Sequence, residues 1–305
     1  MLSGFYGLTL PLLKHGVPLR PVQLDNLVRA PGYLDDMQVL VLSYEFMKPM
    51  TPGLHLVLAQ WVMRGGRLVY VGADTDPFHG AKDWWNQGAT VYQAPAEHLF
   101  ESLGLARDPE QGKYDVGQGK VYVECCHPAW FTRSAENAQR LRELVGMAVA
   151  DGGERLIERN AIRLRRGPYL IAATFDESVA EAPLLLQGNF VDLLDPQLAV
   201  RRDVELAPGE QAWLVDLARV RGDVPRMLAA AGRIEKWNVA NNVVEYTIST
   251  PAETPVVARL RLAAAPSEVV VDGQRVETIE WDEMSHTVLV RHPGKPEGVP
   301  VKVSW

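Results

Sequence analysis

Two apolar runs, 38–42 and 67–72, separated by a helical stretch and Gly65-Gly66, leave this chain few architectures. Each run is continuous rather than alternating, which is the pattern of a strand covered on both faces. Between them Thr51 stands where an N-cap is needed and Pro52 at the first helical position, and Leu54, Leu58, Trp61 and Val62 recur on one helical face. Strand, helix, Gly-Gly and strand make the βαβ unit of a parallel sheet, with residues 38–42 expected as its central strand. Ligands of such sheets bind at the carboxyl ends of the strands. That edge reads Ser43-Tyr44-Glu45 and Gly72-Ala73-Asp74-Thr75-Asp76, polar and acidic but without a complete catalytic motif.

The flanking sequence extends the same texture. Residues 3–15 place Phe5, Leu8, Leu12 and Leu13 at helical spacing, with Gly16 as the C-cap glycine. Residues 17–24 carry Pro18 and Pro21, so they are expected as an edge or short strand. A doubly wound sheet should open on a strand before its first helix. Either this sheet starts one strand short, or the sequence is the carboxyl-terminal portion of something longer. A helix over 96–103, a strand over 119–126 ended by His127-Pro128, and an amphipathic helix over 134–150 complete this half. His55, alone on its helix, reads as a surface or packing residue. The long loop from Asp74 through Asp76, Asp83, Trp84 and Trp85 leaves the functional edge, where long loops form pocket rims or interfaces. Its carboxylates suit sugar hydroxyls or a cation, and its paired indoles suit stacking; equally, Trp84 and Trp85 can anchor the loop to the domain behind it.

Beyond Gly152-Gly153 short alternating runs separated by turn signals take over, the pattern of antiparallel β-sandwiches. Strands are expected over 162–167, 169–175, 190–194 and 212–217, then 243–248, 256–262, 268–271, 276–281, 287–291 and 299–303, with Asp272-Gly273 as a hairpin turn. Arg165-Arg166-Gly167-Pro168 is a dense cationic turn suited to forking onto a carboxylate, of a ligand or of the neighbouring domain.

The totals exclude several classes of function. With 305 residues the chain exceeds one small core. A net charge of −7 opposes a nucleic-acid surface. No apolar run approaches bilayer length and the first residues lack a secretory pattern, so a cytoplasmic protein without membrane partners is expected. The two cysteines are adjacent, Cys125 and Cys126, and hold neither a disulfide framework nor a metal unaided. On an extended chain Cys125 and His127 share a face, and Cys126 and His127 do not.

The order of elements, with Trp61-Val62-Met63-Arg64-Gly65-Gly66-Arg67-Leu68-Val69 after a strand and helix, resembles the class I glutamine amidotransferase-like domain in the form embedded in large bacterial glycoside hydrolases of β-galactosidase type. There it follows a catalytic barrel, precedes β-sandwich modules and is associated with trimer formation. Residues 266–305, with Val271-Asp272-Gly273 and Trp281-Asp282, look like the terminal β module of such glycosidases. The resemblance implies no amidotransferase chemistry. The elbow that would hold a Gly-x-Cys-x-Gly nucleophile reads Gly72-Ala73-Asp74-Thr75-Asp76, and the His-Pro-Glu run reads His127-Pro128-Ala129.

The expected fold is therefore α/β plus all-β. A flavodoxin-like, amidotransferase-like parallel sheet with helices on both faces occupies 1–151, a β-sandwich 152–224, and a second β-sandwich module 225–305, or one β region across both. Three functions follow: a non-catalytic accessory region of a carbohydrate-active protein, serving oligomerisation or as a sugar-site wall; a glycoside hydrolase using the acidic loop 74–83; or a degenerate amidotransferase relative that binds a small ligand. The candidate ligand residues are Tyr44, Glu45, Asp74, Asp76, Asp83, Trp84, Trp85 and His127, with no catalytic residue, metal or cofactor assigned. The expected partners are a carbohydrate and either another copy of the chain or an upstream glycosidase domain.

Overall fold

A computed structural model describes residues 2–45, 47–73, 75–89, 91–222 and 225–305. The chain divides into two compact units, Met1–Asn160 with Glu177–Val179, and Ala161–Asp176 with Ala180–Trp305. Among the described residues no helix is long and apolar enough to cross a membrane.

The first unit is built on four strands, β1 (Val39–Leu42), β2 (Arg67–Val71), β3 (Gly112–Val116) and β4 (Gly119–Glu124), in the order β1-β2-β4-β3. β1, β2 and β4 run parallel, and β3 runs against β4. The expected flavodoxin-like parallel sheet is thus corrected to a small mixed one. The segment before β4 folds back through the two-residue turn Gly117-Gln118, where Gly117 has positive φ, and supplies an antiparallel partner. The expected central strand β1 lies at the edge of the sheet. A continuous apolar run reports two covered faces, not a central place.

Helices cover both faces. On one, Leu40, Leu42, Leu68, Tyr70, Val121 and Val123 pack with α3 (Gly53–Met63), α4 (Pro95–Ser102) and the short α2 (Asn26–Arg29). On the other, Val69, Val71 and Tyr122 pack with α1 (Leu2–Leu13) and α5 (Ala135–Ala150). The period of two along each strand sorts its residues between these cores. Leu54, Leu58 and Val62 of α3 are fully buried, each worth about 1.5–3 kcal/mol of transfer free energy.

Helix ends follow the sequence closely. α1 closes with Val17 N–H on the Leu12 carbonyl and Gly16 N–H on Leu13, around Gly16 at φ 65°. α3 closes in the same way, Gly66 to Trp61 and Gly65 to Val62, around Gly65 at φ 113°. The start of α3 differs from expectation: Pro52 is the cap and Gly53 the first helical residue. Ser134 caps α5 by accepting from Asn137 N–H. Residues 17–24 form no strand. Pro18 and Pro21 deny it ladder donors, and the segment instead carries the chain from Val17, in the α1/α5 core, to Leu24, in the α3 core.

The second unit is all β. One antiparallel sheet of five strands, β5 (Ala161–Arg166), β6 (Tyr169–Thr174), β7 (Leu184–Asp192), β8 (Val200–Leu206) and β9 (Gln211–Asp216), has the order β5-β6-β9-β7-β8. It curls around a core of its own, from Leu170 through Phe190 to Leu214.

The remaining strands make a sandwich. One layer is β10 (Arg226–Ala230), β13 (Pro255–Arg261), β17 (Thr287–Pro293) and β16 (Glu280–Asp282). The other is β11 (Arg233–Ala240), β12 (Val243–Ser249), β18 (Val299–Ser304), β14 (Glu268–Val271) and β15 (Gln274–Arg275). Val244, Tyr246, Ile248 and Val301 of one layer face Val256, Leu260 and Val290 of the other. A further cluster joins Val191 and Val215 of the curled sheet, and Leu198 of its β7–β8 connection, to Leu228, Val257 and Leu289 of the sandwich. Beside it the buried Arg259 donates to the Leu198 carbonyl at 2.6 Å and to Thr287 Oγ1 at 2.8 Å. The turn at Asp272-Gly273 forms as expected, with both residues at positive φ. The expected strand 276–281 is replaced by β15 and β16 on different layers.

Candidate functional site

At the carboxyl ends of β1, β2 and β4 the side chains are drawn into main-chain bonding. Ser43, Tyr44 and Glu45 leave β1 buried. The Glu45 carboxylate accepts from Ala73 N–H at 2.7 Å, Thr75 N–H at 3.2 Å and Thr75 Oγ1 at 3.3 Å. One buried acid therefore ties the loop after β1 to the loop after β2, satisfying amides that strand separation leaves unpaired. Lys48 Nζ donates to the Tyr44 carbonyl at 2.5 Å and to Asp76 Oδ2 at 2.6 Å. The other Asp76 oxygen accepts from Phe78 N–H at 3.0 Å and starts the 3-10 helix Pro77–Gly80. Burial pushes the Asp76 carboxyl up, but the Lys48 ammonium and the Phe78 amide outweigh it and hold the group below the usual carboxylate range.

Lys48→Met should therefore cost about 2–4 kcal/mol, because it strands Asp76 in a mostly buried position. Urea unfolding checks this, and the double variant with Asp76→Asn should recover a part of the loss.

The loop that follows is pinned by its two indoles. Trp84 Nε1 donates to the Pro49 carbonyl at 2.8 Å and Trp85 Nε1 to the His79 carbonyl at 2.9 Å. Trp85 is 2% exposed and meets Trp84 edge-on. Asp83 is exposed and accepts from Trp84 N–H at 2.7 Å. The structure thus brings Tyr44, Glu45, Asp76, Trp84 and Trp85 to one end of the sheet, with Asp83 on its outer rim; Asp74 lies outside the described residues. His127, after β4, uses Nδ1 to accept from Ala129 N–H at 3.1 Å and caps the 3-10 helix Pro128–Thr132. Among the described residues no hydrogen bond joins it to the Glu45–Asp76 cluster. Burial first, then Glu124 and Cys125 nearby, push the Cys126 thiol up to about 12, so it is protonated at neutral pH. Glu124 itself is held by Arg140 at 2.9 Å. No group of three or more His, Cys, Asp and Glu among the described residues could hold a metal ion.

A line of three groups behind this edge has no counterpart in the sequence reading. Tyr44 Oη lies 2.7 Å from His55 Nε2, and His55 Nδ1 lies 2.8 Å from His98 Nδ1. His55 is fully buried, and Trp84 packs edge-on against both imidazoles. One proton serves the two facing Nδ1 atoms, so the pair accommodates a single positive charge at most. Burial first, then His98, push His55 down to about 3. His55 sits in the apolar stripe of α3, where a packing histidine is the default, and His98 comes 43 residues later, so no local spacing announces the pair.

No protein-family model matches the chain, and no curated protein matches it. Among solved structures, a β-galactosidase from Bacillus circulans sp. alkalophilus is similar over 70% of this chain and 37% of its own, at 11% identity and a TM-score of 0.39. A GH31 dextranase from Flavobacterium johnsoniae, complexed with glucose, is similar over 61% of this chain and 35% of its own, at 9% identity and a TM-score of 0.27. The chain thus spans little more than a third of either. Likeness at these scores carries neither a fold assignment nor an activity to this chain.

Proposed function

We propose that the chain is a non-catalytic accessory region of a carbohydrate-active protein, its first unit a degenerate relative of the amidotransferase-like domain. It would supply oligomer contacts or a wall of a sugar site completed by another domain. One observation carries the non-catalytic part: the ionisable groups described at the strand ends are already engaged. Glu45 holds two loop amides, Asp76 holds Lys48 and Phe78 N–H, Glu124 holds Arg140, and His127 holds Ala129 N–H. Glycoside hydrolysis needs two carboxyl groups free to face the bond, and the Cys126 thiol, pushed up to about 12, offers no thiolate nucleophile. The carbohydrate part is supported by the glycosidase-type sequence pattern around Gly65-Gly66 and over 266–305.

The test is a panel of aryl glycosides between pH 4 and 8 with the wild type, Asp76→Asn and Asp83→Asn. The expected rate is that of buffer for all three, and light scattering should report more than one copy per particle. Turnover that disappears in either variant would overturn the reading in favour of a hydrolase built on the acidic loop.

A further inference from the structure

We propose that the free edge of β5 is a docking site for an extended peptide segment in which acidic and apolar residues alternate, added as a sixth strand to the curled sheet. β5 ends the strand order β5-β6-β9-β7-β8. Its pairing with β6 runs from Ala161↔Thr174 to Arg166↔Tyr169 across the two-residue turn Gly167-Pro168. Thr174 exchanges main-chain bonds with the β9 side, its N–H to Glu210 and its carbonyl from Gly209 N–H. Antiparallel ladders alternate residue by residue. Tyr169, Ile171 and Ala173 therefore bond to β5, and their partners Arg166, Leu164 and Ile162 are satisfied. The N–H and C=O groups of Arg163 and Arg165 point away from the sheet, on a strand whose last four residues are exposed.

The two faces beside that edge have opposite character. On the outer face Leu164, Ile171 and Trp213 stand in register across three strands, 47%, 41% and 45% exposed. On the inner face Arg163 and Arg165 rim an open cleft of about 480 Å³, floored by Leu170 and Phe190 and closed opposite by the bulged part of β7 at Leu186 and Gln187. Arg165 has Asp216 at 2.8 Å, a carboxylate that also faces Arg219 at 3.6 Å. Arg163 and Arg166 have no acidic partner among the described residues.

Charged residues at a sheet edge guard against self-pairing. Three arginines refuse a second copy of the same edge and select an acidic strand in its place. Cross-strand neighbours share a face, so partner residues opposite Arg163 and Arg165 would be Asp or Glu. Those opposite Ile162 and Leu164 would be apolar and extend the Leu164–Ile171–Trp213 row. Main-chain bonds then give affinity and the alternation gives specificity.

The probe is a fluorescein-labelled peptide of four Glu-Val repeats, titrated against the full chain by anisotropy, with a Lys-Val counterpart as control. Saturable binding of Glu-Val alone is expected, weakened about tenfold or more by Arg163→Glu and by Arg163→Pro. The proline removes an outward N–H and no bond to β6, and a melting temperature near wild type would confirm that the sheet persists. No binding to the wild type, equal binding of Lys-Val, or Glu-Val binding that survives Arg163→Pro would each overturn the proposal. Self-association abolished by Arg163→Pro would also overturn it, reassigning the edge to a second copy.

Discussion

Lowering the pH from 7 to 4.5 should remove about 2–3 kcal/mol of stability from the Met1–Asn160 unit through His55 alone. In the unfolded chain this imidazole takes up a proton near pH 6.5. In the folded unit it is enclosed by Tyr44, His98 and Trp84 and stays neutral until about pH 3. Between those values the unfolded state holds the extra proton, so stability falls as pH falls, by about 1.4 kcal/mol per unit, and the loss stops below the folded pKa. His15, His79 and His98 are shifted down as well, burial being the first cause in each, and add in the same direction. The carboxylates held low, Asp76 among them, act only further down, near and below pH 4. Urea titrations followed by tryptophan fluorescence at pH 7, 5.5 and 4.5 resolve the interval. His55→Gln removes the titrating group and should flatten the slope between pH 6.5 and 4.5 while lowering stability at pH 7. A wild-type curve with no change above pH 5 would mean that His55 is open to protons in the folded state.

The readable parts of this chain were those in which one segment decides its own structure. The Gly16 and Gly65 helix closures, the amphipathic helix over 134–150, the stripe of Leu54, Leu58, Trp61 and Val62, and the Asp272-Gly273 turn all rest on contacts within a few residues. What was hidden depends on long-range pairing. β8, Val-Arg-Arg-Asp-Val-Glu-Leu, is a strand because Val204 and Leu206 fill the core of the curled sheet while its charges face water; its two arginines and two acids mask that alternation. β3 is a strand because the turn at Gly117 brings it against β4, though only Val116 of its five residues is buried.

The candidate site divides along the same line. Its residue types could be picked out at strand ends, because topology puts the ends of parallel strands together. Their partners could not: Lys48 reaches Asp76 across 28 residues, and Glu45 reaches Thr75 across 30. Those bonds, rather than the acidity of the segment, decide what its carboxylates can do.

Gly119→Ala should be among the most damaging single-methyl changes in the first unit, costing about 4 kcal/mol or more and leaving that unit unfolded or insoluble. A Cβ at this position would stand 2.1 Å from the Val62 carbonyl oxygen and 2.2 Å from that of Gly66. Both are main-chain atoms of the turn that closes α3, so no side chain can swing aside. The turn cannot yield cheaply either. Gly65 and Gly66 donate back into the helix, and Gln118 N–H and Lys120 N–H donate to the Met63 and Gly66 carbonyls at 2.9 and 3.2 Å. Moving α3 outward would expose Leu58 and Val62, both fully buried, and sliding β4 would break its parallel register with β2. Gly53→Ala, at the first residue of the same helix, is the matched control: nothing lies within 4 Å of the added methyl. It should stabilise the unit by about 0.5–1 kcal/mol through the lower entropy of the unfolded chain. Soluble yield and thermal melting of the two variants separate the effects. A Gly119→Ala protein that melts within a few degrees of wild type would mean that the β3–β4 turn does not seat against the end of α3 as described.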